Sequence, residues 1–277
     1  MLRNFLLTFL LLIATLFAAD ARLQNYPDAV QWEQAAMQGD ADAMYNLGYI
    51  YQTKIEDFDK AIYWYEKAYE KDRGSDAANN IGYLYKEQKK YNEAIQWYEK
   101  AIDKNHALSC YNLAYLYDEI LKKPGQAISY YEKAYKLGNK SAPLSLGIIY
   151  KNNYQDYDKA IEWYEKAYTM GHMGGANGLG YLYEHNLNDD TNAEIWYKRA
   201  AAGNDTKALG NLAKFYKKKG DLIQAGAYAL ALIDNGFTKE KIFSYLKQWN
   251  LSQDQIKQAY ELQKTLDIPK HYTGGID

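Results

Sequence analysis

The sequence predicts an all-α fold, a right-handed α-solenoid of stacked antiparallel helical hairpins, and three observations carry that prediction. A pattern of the form small-x-x-x-(Leu/Ile)-small-x-x-Tyr recurs at residues 43–51, 77–85, 109–117, 142–150, 175–183 and 208–216. A second pattern, A-I-x-W-Y-E-K-A, starts at Ala61, Ala94, Ala127 (with Tyr130 in the Trp position) and Ala160. It becomes AEIWYKRA at Ala193, and these five alanines are 33 residues apart each time. A fixed period of this length marks a repeated supersecondary unit that buries its apolar face against its neighbours. Composition agrees. Four prolines in 277 residues, 30 tyrosines and no β-branched runs suit helices rather than strands.

Taken in order, residues 1–21 read as a signal peptide. Arg3 gives a positive n-region, residues 5–17 are apolar, and Ala19-Asp20-Ala21 offers an A-x-A cleavage site. Cleavage is expected before Arg22, with cuts after Ala18 or Ala19 as alternatives. The apolar stretch is shorter than the roughly 20 residues that span a bilayer, so no stable membrane anchor is expected. The predicted location is the periplasm or the medium.

Residues 22–40 form an N-terminal capping helix, in which 27–38 match a second helix alone and Trp32 stands where Trp64 and Trp97 stand. Residues 41–237 hold about six helix-turn-helix repeats. In the first helix Ala43, Leu47 and Tyr51 share a face; in the second Ala61, Tyr65 and Ala68 do so. The central small residue is Gly48, Gly82, Ala114, Gly147, Gly180 and Ala213, at spacings of 34, 32, 33, 33 and 33. It marks a close approach of two helix backbones. Gly39, Gly138, Gly171 and Gly203 follow second helices, where a left-handed C-cap favours glycine. Pro143 falls in a first turn, after a Ser141 N-cap. Residues 238–268 read as C-terminal capping helices, one over 238–249 and one opened by a Ser252/Gln255 capping box and reaching about Leu266. Residues 269–277 are expected to be a disordered tail.

Chemistry leaves little trace. The formal charge of −2 comes from 33 basic and 35 acidic residues spread along the chain, without the basic stripe that phosphate contacts require, so nucleic acid is not an expected partner. Cys110 is the only cysteine, so no intramolecular disulfide forms, and its mid-helix position reads as a small buried apolar residue. His106, His172, His185 and His271 are scattered, with no H-E-x-x-H, so neither a metal nor another cofactor is expected. Glu66, Glu99, Glu132 and Glu165, each followed by lysine, read as a solvated face. There is no phosphate-binding G-x-x-x-x-G-K-S/T and no G-x-S-x-G elbow, and the reading is that the chain is not an enzyme. The repeat-locked aromatic columns at Trp64, Tyr65 and Tyr51 read as inter-helix core.

One longer pattern points to a family. A-A-x-x-G-x-x-x-A-x-x-x-L-G runs from Ala35 to Gly48, with a shortened relative from Ala201 to Ala213. On this pattern, residues 28–235 resemble a tetratricopeptide-class solenoid and, more specifically, the Sel-one-like repeat proteins. The longer inter-helix loop with a G-x-G-V element, usual in that family, is missing, and the lone Cys110 sets the chain apart from the family's disulfide-stapled branch. The resemblance implies that the first helix of each repeat lines a concave groove. Its lining would include Tyr45, Tyr49, Asn79, Tyr83, Lys86, Tyr111, Tyr115, Asp118, Asn177, Tyr181 and Glu184. Leu144/Ile148, Gly210/Lys214, Gln52, Lys151 and Lys217 hold equivalent positions. A tyrosine-rich face with a mixed polar rim suits a protein interface. The implied function is an exported scaffold that holds another protein or an extended peptide. Two alternatives stand beside it. One is a periplasmic immunity protein that neutralises a secreted toxin, such as an antibacterial effector delivered by type VI secretion. The other is a cell-wall-active enzyme.

Overall fold

Every regular element in the computed structural model, which describes residues 20–276, is helical. The predicted signal peptide lies, but for Asp20 and Ala21, outside the described residues. A short 3-10 turn (Ala21–Asn25) leads into α1 (Pro27–Met37). Six consecutive pairs follow: α2 (Ala41–Ile50) and α3 (Phe58–Tyr69), α4 (Gly74–Glu87) and α5 (Tyr91–Ile102), α6 (Ala107–Tyr115) and α7 (Pro124–Lys136), then α8 (Ala142–Ile149) and α9 (Tyr157–Thr169), α10 (Gly174–His185) and α11 (Asp190–Ala202), α12 (Thr206–Lys218) and α13 (Leu222–Ala231). The last helices are α14 (Lys239–Gln248) and α15 (Gln253–Gln263). No described helix is long and apolar enough to cross a membrane. The chain divides into two compact units, 1–116 and 117–277.

Aspartates start six of these helices. The carboxylates of Asp40, Asp57, Asp156, Asp189, Asp205 and Asp221 each accept a hydrogen bond from a first-turn backbone N–H. Each cap contributes about 1 kcal/mol, because those donors have no partner inside the helix. The Ser252/Gln255 capping box opens α15. Two expected caps are different. Ser141 makes no side-chain cap; Asn139 Oδ1 accepts instead from the N–H groups of Ser141 and Ala142. Gly39, Gly138 and Gly171 take the expected left-handed conformation, but Gly203 has φ −83° and hands that role to Asn204 at φ 70°.

The 34/32 irregularity of the small residues has a local cause. Thirteen positions separate Gly48 from Ala61 and Gly147 from Ala160, but twelve separate Gly82 from Ala94. After α2 and α8 this longer stretch contains a π-helical turn, Tyr51–Ile55 and Tyr150–Tyr154, whereas Gly180 and Ala193 are also thirteen apart without one. Each turn ends in a left-handed residue, Glu56 or Gln155. The chain between α4 and α5 has no such turn.

Within the first unit the core is built from Leu47, Tyr51, Ala61, Tyr65, Ile81 and Leu84, all buried. In the second, Tyr197, Leu212, Phe215, Tyr228, Ile242 and Leu246 do the same work. The Tyr65 column (Tyr65, Tyr98, Tyr131, Tyr164, Tyr197) is fully buried, as expected. What approaches each repeat glycine is this ring and not a neighbouring backbone. A Cβ built on Gly48 would lie 2.6 Å from Tyr65 Cδ1, on Gly82 2.7 Å from Tyr98 and on Gly147 2.5 Å from Tyr164. The Trp column is half-buried apart from Trp163. Each ring meets the edge of a tyrosine (Tyr69–Trp97, Tyr135–Trp163 and Tyr168–Trp196, centroids 5.4–5.5 Å apart). A cation covers it: Lys100 Nζ is 3.5 Å from the Trp97 centroid and Lys166 Nζ 4.0 Å from that of Trp163. Glu99, Lys100 and Glu165 are exposed, as a solvated face requires, and Lys100 and the half-buried Lys166 also cover an indole.

The tail is ordered as far as it is described. Tyr272 is buried; its carbonyl accepts from Gln263 Nε2 at 2.6 Å and its N–H donates to Gln263 Oε1 at 3.1 Å. This departs from the disorder expected for 269–276; Asp277 lies outside the described residues. A buried glutamine amide needs a donor and an acceptor, and the tail backbone supplies both.

Candidate functional site

In the first unit, one repeat position carries an exposed tyrosine on each first helix: Tyr49 on α2, Tyr83 on α4 and Tyr115 on α6, at 51%, 38% and 42% exposure. The helical period explains why. Leu47 and Tyr51 are turned inward to the core, so the residue two after Leu47 is turned outward. Lys86 Nζ lies 4.5 Å from the Tyr83 centroid and 6.0 Å from that of Tyr115, and pairs with Glu87 at 2.9 Å. The result is an aromatic ladder held by a cation.

Tyr45, Asn79 and Tyr111 are placed differently from that ladder. Asn79 is only 6% exposed and works inside the protein. Its Oδ1 accepts from Ser109 Oγ at 3.0 Å and Asn112 Nδ2 at 2.9 Å, and its own Nδ2 donates to Asn80. Asn80 Nδ2 donates to Tyr45 Oη at 2.9 Å, and the Tyr45 ring packs on Tyr65 with centroids 5.3 Å apart. Tyr45 and Tyr111 are half-buried. Thus Asn79 is a brace between first helices rather than a lining residue. The sequence signal for this brace is the asparagine two before the small residue, at Asn46, Asn80, Asn112 and Asn211. The same link recurs in the second unit, where Asn211 Nδ2 donates to Asn177 Oδ1 at 2.8 Å.

Also in the second unit, Tyr181 is 41% exposed and stacks on His185, centroids 4.1 Å apart. Glu184, expected in the groove, is 7% exposed; its carboxylate accepts from Tyr197 Oη at 3.1 Å and has Lys218 and His185 each at 3.6 Å. It is turned to the core because a buried tyrosine hydroxyl needs an acceptor. Asp118 is half-buried, and burial, with the neighbouring charge of Glu119, raises its carboxyl above the ordinary range.

One constellation was invisible in the sequence. Asp76 Oδ1 is 3.2 Å from His106 Nε2, and His106 Nδ1 is 2.8 Å from Ser109 Oγ. The residue types are those of a hydrolytic triad. Here, however, Ser109 is fully buried, its hydroxyl is bound to Asn79, and His106 Nδ1 also caps α6 through the Ser109 N–H at 3.3 Å. A hydroxyl without access to a substrate carbonyl cannot act as a nucleophile; the cluster is a helix cap. Cys110 beside it is buried. Among the described residues no group of three or more His, Cys, Asp or Glu is placed to hold a metal ion.

The Sel1 repeat family model matches residues 41–72, 107–139, 154–172 and 175–205, and the tetratricopeptide repeat model matches 75–106. The chain carries Sel1 repeats and one tetratricopeptide repeat. The tetratricopeptide match falls on α4 and α5, a pair with a short inter-helix turn. Among solved structures, the Sel1 repeat protein of Oxalobacter formigenes is 25% identical over 65% of this chain and 80% of its own, with a TM-score of 0.53. The pilF protein of Pseudomonas aeruginosa reaches a TM-score of 0.55 at 20% identity, over 75% of this chain and 97% of its own, which shows a shared fold. The immunity protein Pa5087 of the same organism has 20% identity over 82% of each chain, with a TM-score of 0.43. No curated protein is significantly similar in sequence. Sel1 and tetratricopeptide repeats are scaffolds, generally without catalytic machinery, and typically bind proteins or peptides.

Proposed function

We propose that this Sel1 and tetratricopeptide repeat protein is an exported scaffold that holds a partner protein on the faces of its first helices. The observation that supports this reading is the ladder of Tyr49, Tyr83 and Tyr115. Three aromatic rings at the same repeat position keep 38–51% of their surface exposed, unlike the buried rings of the Tyr65 column. Tyrosine offers a large contact area and a hydrogen-bonding tip for the loss of few rotamers, which is why it concentrates at interface centres.

The test places a photo-cross-linking amino acid at Tyr83, with Glu93 as a control site on the second helix, and identifies the adduct in cells. Adducts from the Tyr83 site should name one partner, and the Y49A/Y83A/Y115A variant should lose it while keeping its helical content and melting temperature. Loss of rings worth about 2 kcal/mol each at the centre of a contact would lower affinity a thousandfold or more. The counterpart Y65A/Y98A/Y131A should instead unfold, because each buried ring contributes about 3–5 kcal/mol. A partner that still binds the exposed-tyrosine variant would place recognition elsewhere. The adduct's identity also separates an envelope assembly factor from an antibacterial effector as the partner.

A further inference from the structure

The second unit carries two hollows on its first-helix face, adjoining through α12. One, of about 520 Å³, is lined by Leu144, Ile148, Lys151, Tyr181 and Lys207 among others. The other, of about 430 Å³, is lined by Lys214, Lys217, Phe237, Tyr245 and Trp249 among others. Each combines an apolar floor with ammonium groups at its edge. Lys151 Nζ sits 4.4 Å from the Tyr181 centroid, and Lys217 Nζ 5.4 Å from that of Trp249.

These four lysines share the lack of a counter-charge, unlike Lys166, Lys198 and Lys218 nearby, which meet Glu162, Glu194 and Glu184. Among the described residues, none of Lys151, Lys207, Lys214 and Lys217 has a carboxylate within 4.0 Å. The first hollow contains one carboxylate, Asp205, already occupied in capping α12 by accepting from the Ala208 N–H at 3.1 Å. The second hollow is lined by none. Lys151 is half-buried, and that burial pushes its ammonium below its ordinary value, as expected for a cation that has lost water and gained no counter-charge. Sequence-wide the charge is nearly balanced, so this unpaired strip of one sign is a local arrangement.

We infer that the first-helix face of the second unit receives an acidic segment of a partner protein, its carboxylates meeting Lys151, Lys207, Lys214 and Lys217 while intervening apolar side chains enter the two hollows. This rests on the reading of the first-helix faces as partner surfaces and adds the partner's chemistry. An extended segment with alternating acidic and apolar residues matches a surface on which cations and apolar hollows alternate, and like-charged segments are rejected by the same lysines.

The probe is a short fluorescein-labelled peptide alternating Glu and Leu, compared with a Lys/Leu and a Ser/Leu counterpart, each as free acid and C-terminal amide. The full chain should bind the Glu/Leu peptide in both terminal forms, more weakly as salt rises, and should bind the other two at least about tenfold less tightly. K151Q/K214Q/K217Q should lower Glu/Leu affinity about tenfold with unchanged helical content, since Lys214 and Lys217 are exposed. Equal binding of the Lys/Leu peptide, indifference to the lysine changes, or a requirement for the free C-terminus would each overturn the inference. If it falls while the Tyr83 cross-link to the native partner persists, the scaffold reading stands and only the acidic chemistry is wrong. If both fail, the first-helix faces are not the binding surfaces.

Discussion

Asp20, two residues before the cleavage position expected from the sequence, ties the start of the described chain to the first repeat. Its carboxylate, almost buried, accepts from Arg22 Nη2 at 2.7 Å, Lys60 Nζ at 2.7 Å and Tyr51 Oη at 3.1 Å, while Arg22 also reaches Asp57 at 2.8 Å. The Arg22 hydrogen bonds, followed by those of Lys60, hold the Asp20 carboxyl well below the usual carboxylate range. A depressed folded-state pKa means that the stability is present above the unfolded value of about 3.9 and fades as pH falls below it. Asp20→Asn should therefore lower the melting temperature at neutral pH, by an amount equivalent to about 1 kcal/mol since both cationic partners are half-exposed, and should flatten the decline below pH 4. Cleavage before Arg22 would remove this acceptor altogether. A cut after Ala18 or Ala19 keeps it, so N-terminal sequencing of exported protein should read Ala19 or Asp20 first; a first residue of Arg22 would show that the folded protein does without the cluster.

Between elements, the contact that sets helix spacing is the glycine-on-tyrosine pair. Gly147→Leu should cost about 1–3 kcal/mol or more, because the Tyr164 ring already occupies the space and is itself fully buried. Thermal or denaturant melting measures the loss, and an unchanged midpoint would mean that the ring swings aside freely. Much of this level was legible in the chain. The 33-residue recurrence of Ala61, Ala94, Ala127, Ala160 and Ala193 located the second helices, and the invariant tyrosine four residues on proved to be their most buried ring. Side-chain direction within a polar position was not legible. Asn79 and Glu184 sit where a helical wheel puts lining residues, yet buried hydroxyl and amide partners from other helices draw them inward, and those partners are 13 to 33 residues away. The Asp76, His106 and Ser109 cluster escaped notice for the same reason, since only the stacking of α4 and α6 brings it together.

At the scale of the whole molecule, the lengths of the turns matter more than their sequences. Second helices keep a constant interval, while the connections after α2 and α8, which contain the π-helical turns, are one residue longer than the one between α4 and α5. Insertions and deletions are thus quarantined: a residue can enter or leave a repeat without changing the phase of any buried face. Deleting Asn153, an exposed residue inside the second of these turns, should leave a folded protein whose melting temperature falls by no more than a few degrees. Deleting Ile161 in α9 should be ruinous, because every later side chain in that helix turns by about 100° and Tyr164 and Ala167 leave the core. Circular dichroism of the two deletions separates these outcomes, and equal damage from both would deny the turns that tolerance. A lineage carrying such turns can lengthen or shorten its connections freely, and so acquire new recognition loops, while inheriting its stack intact.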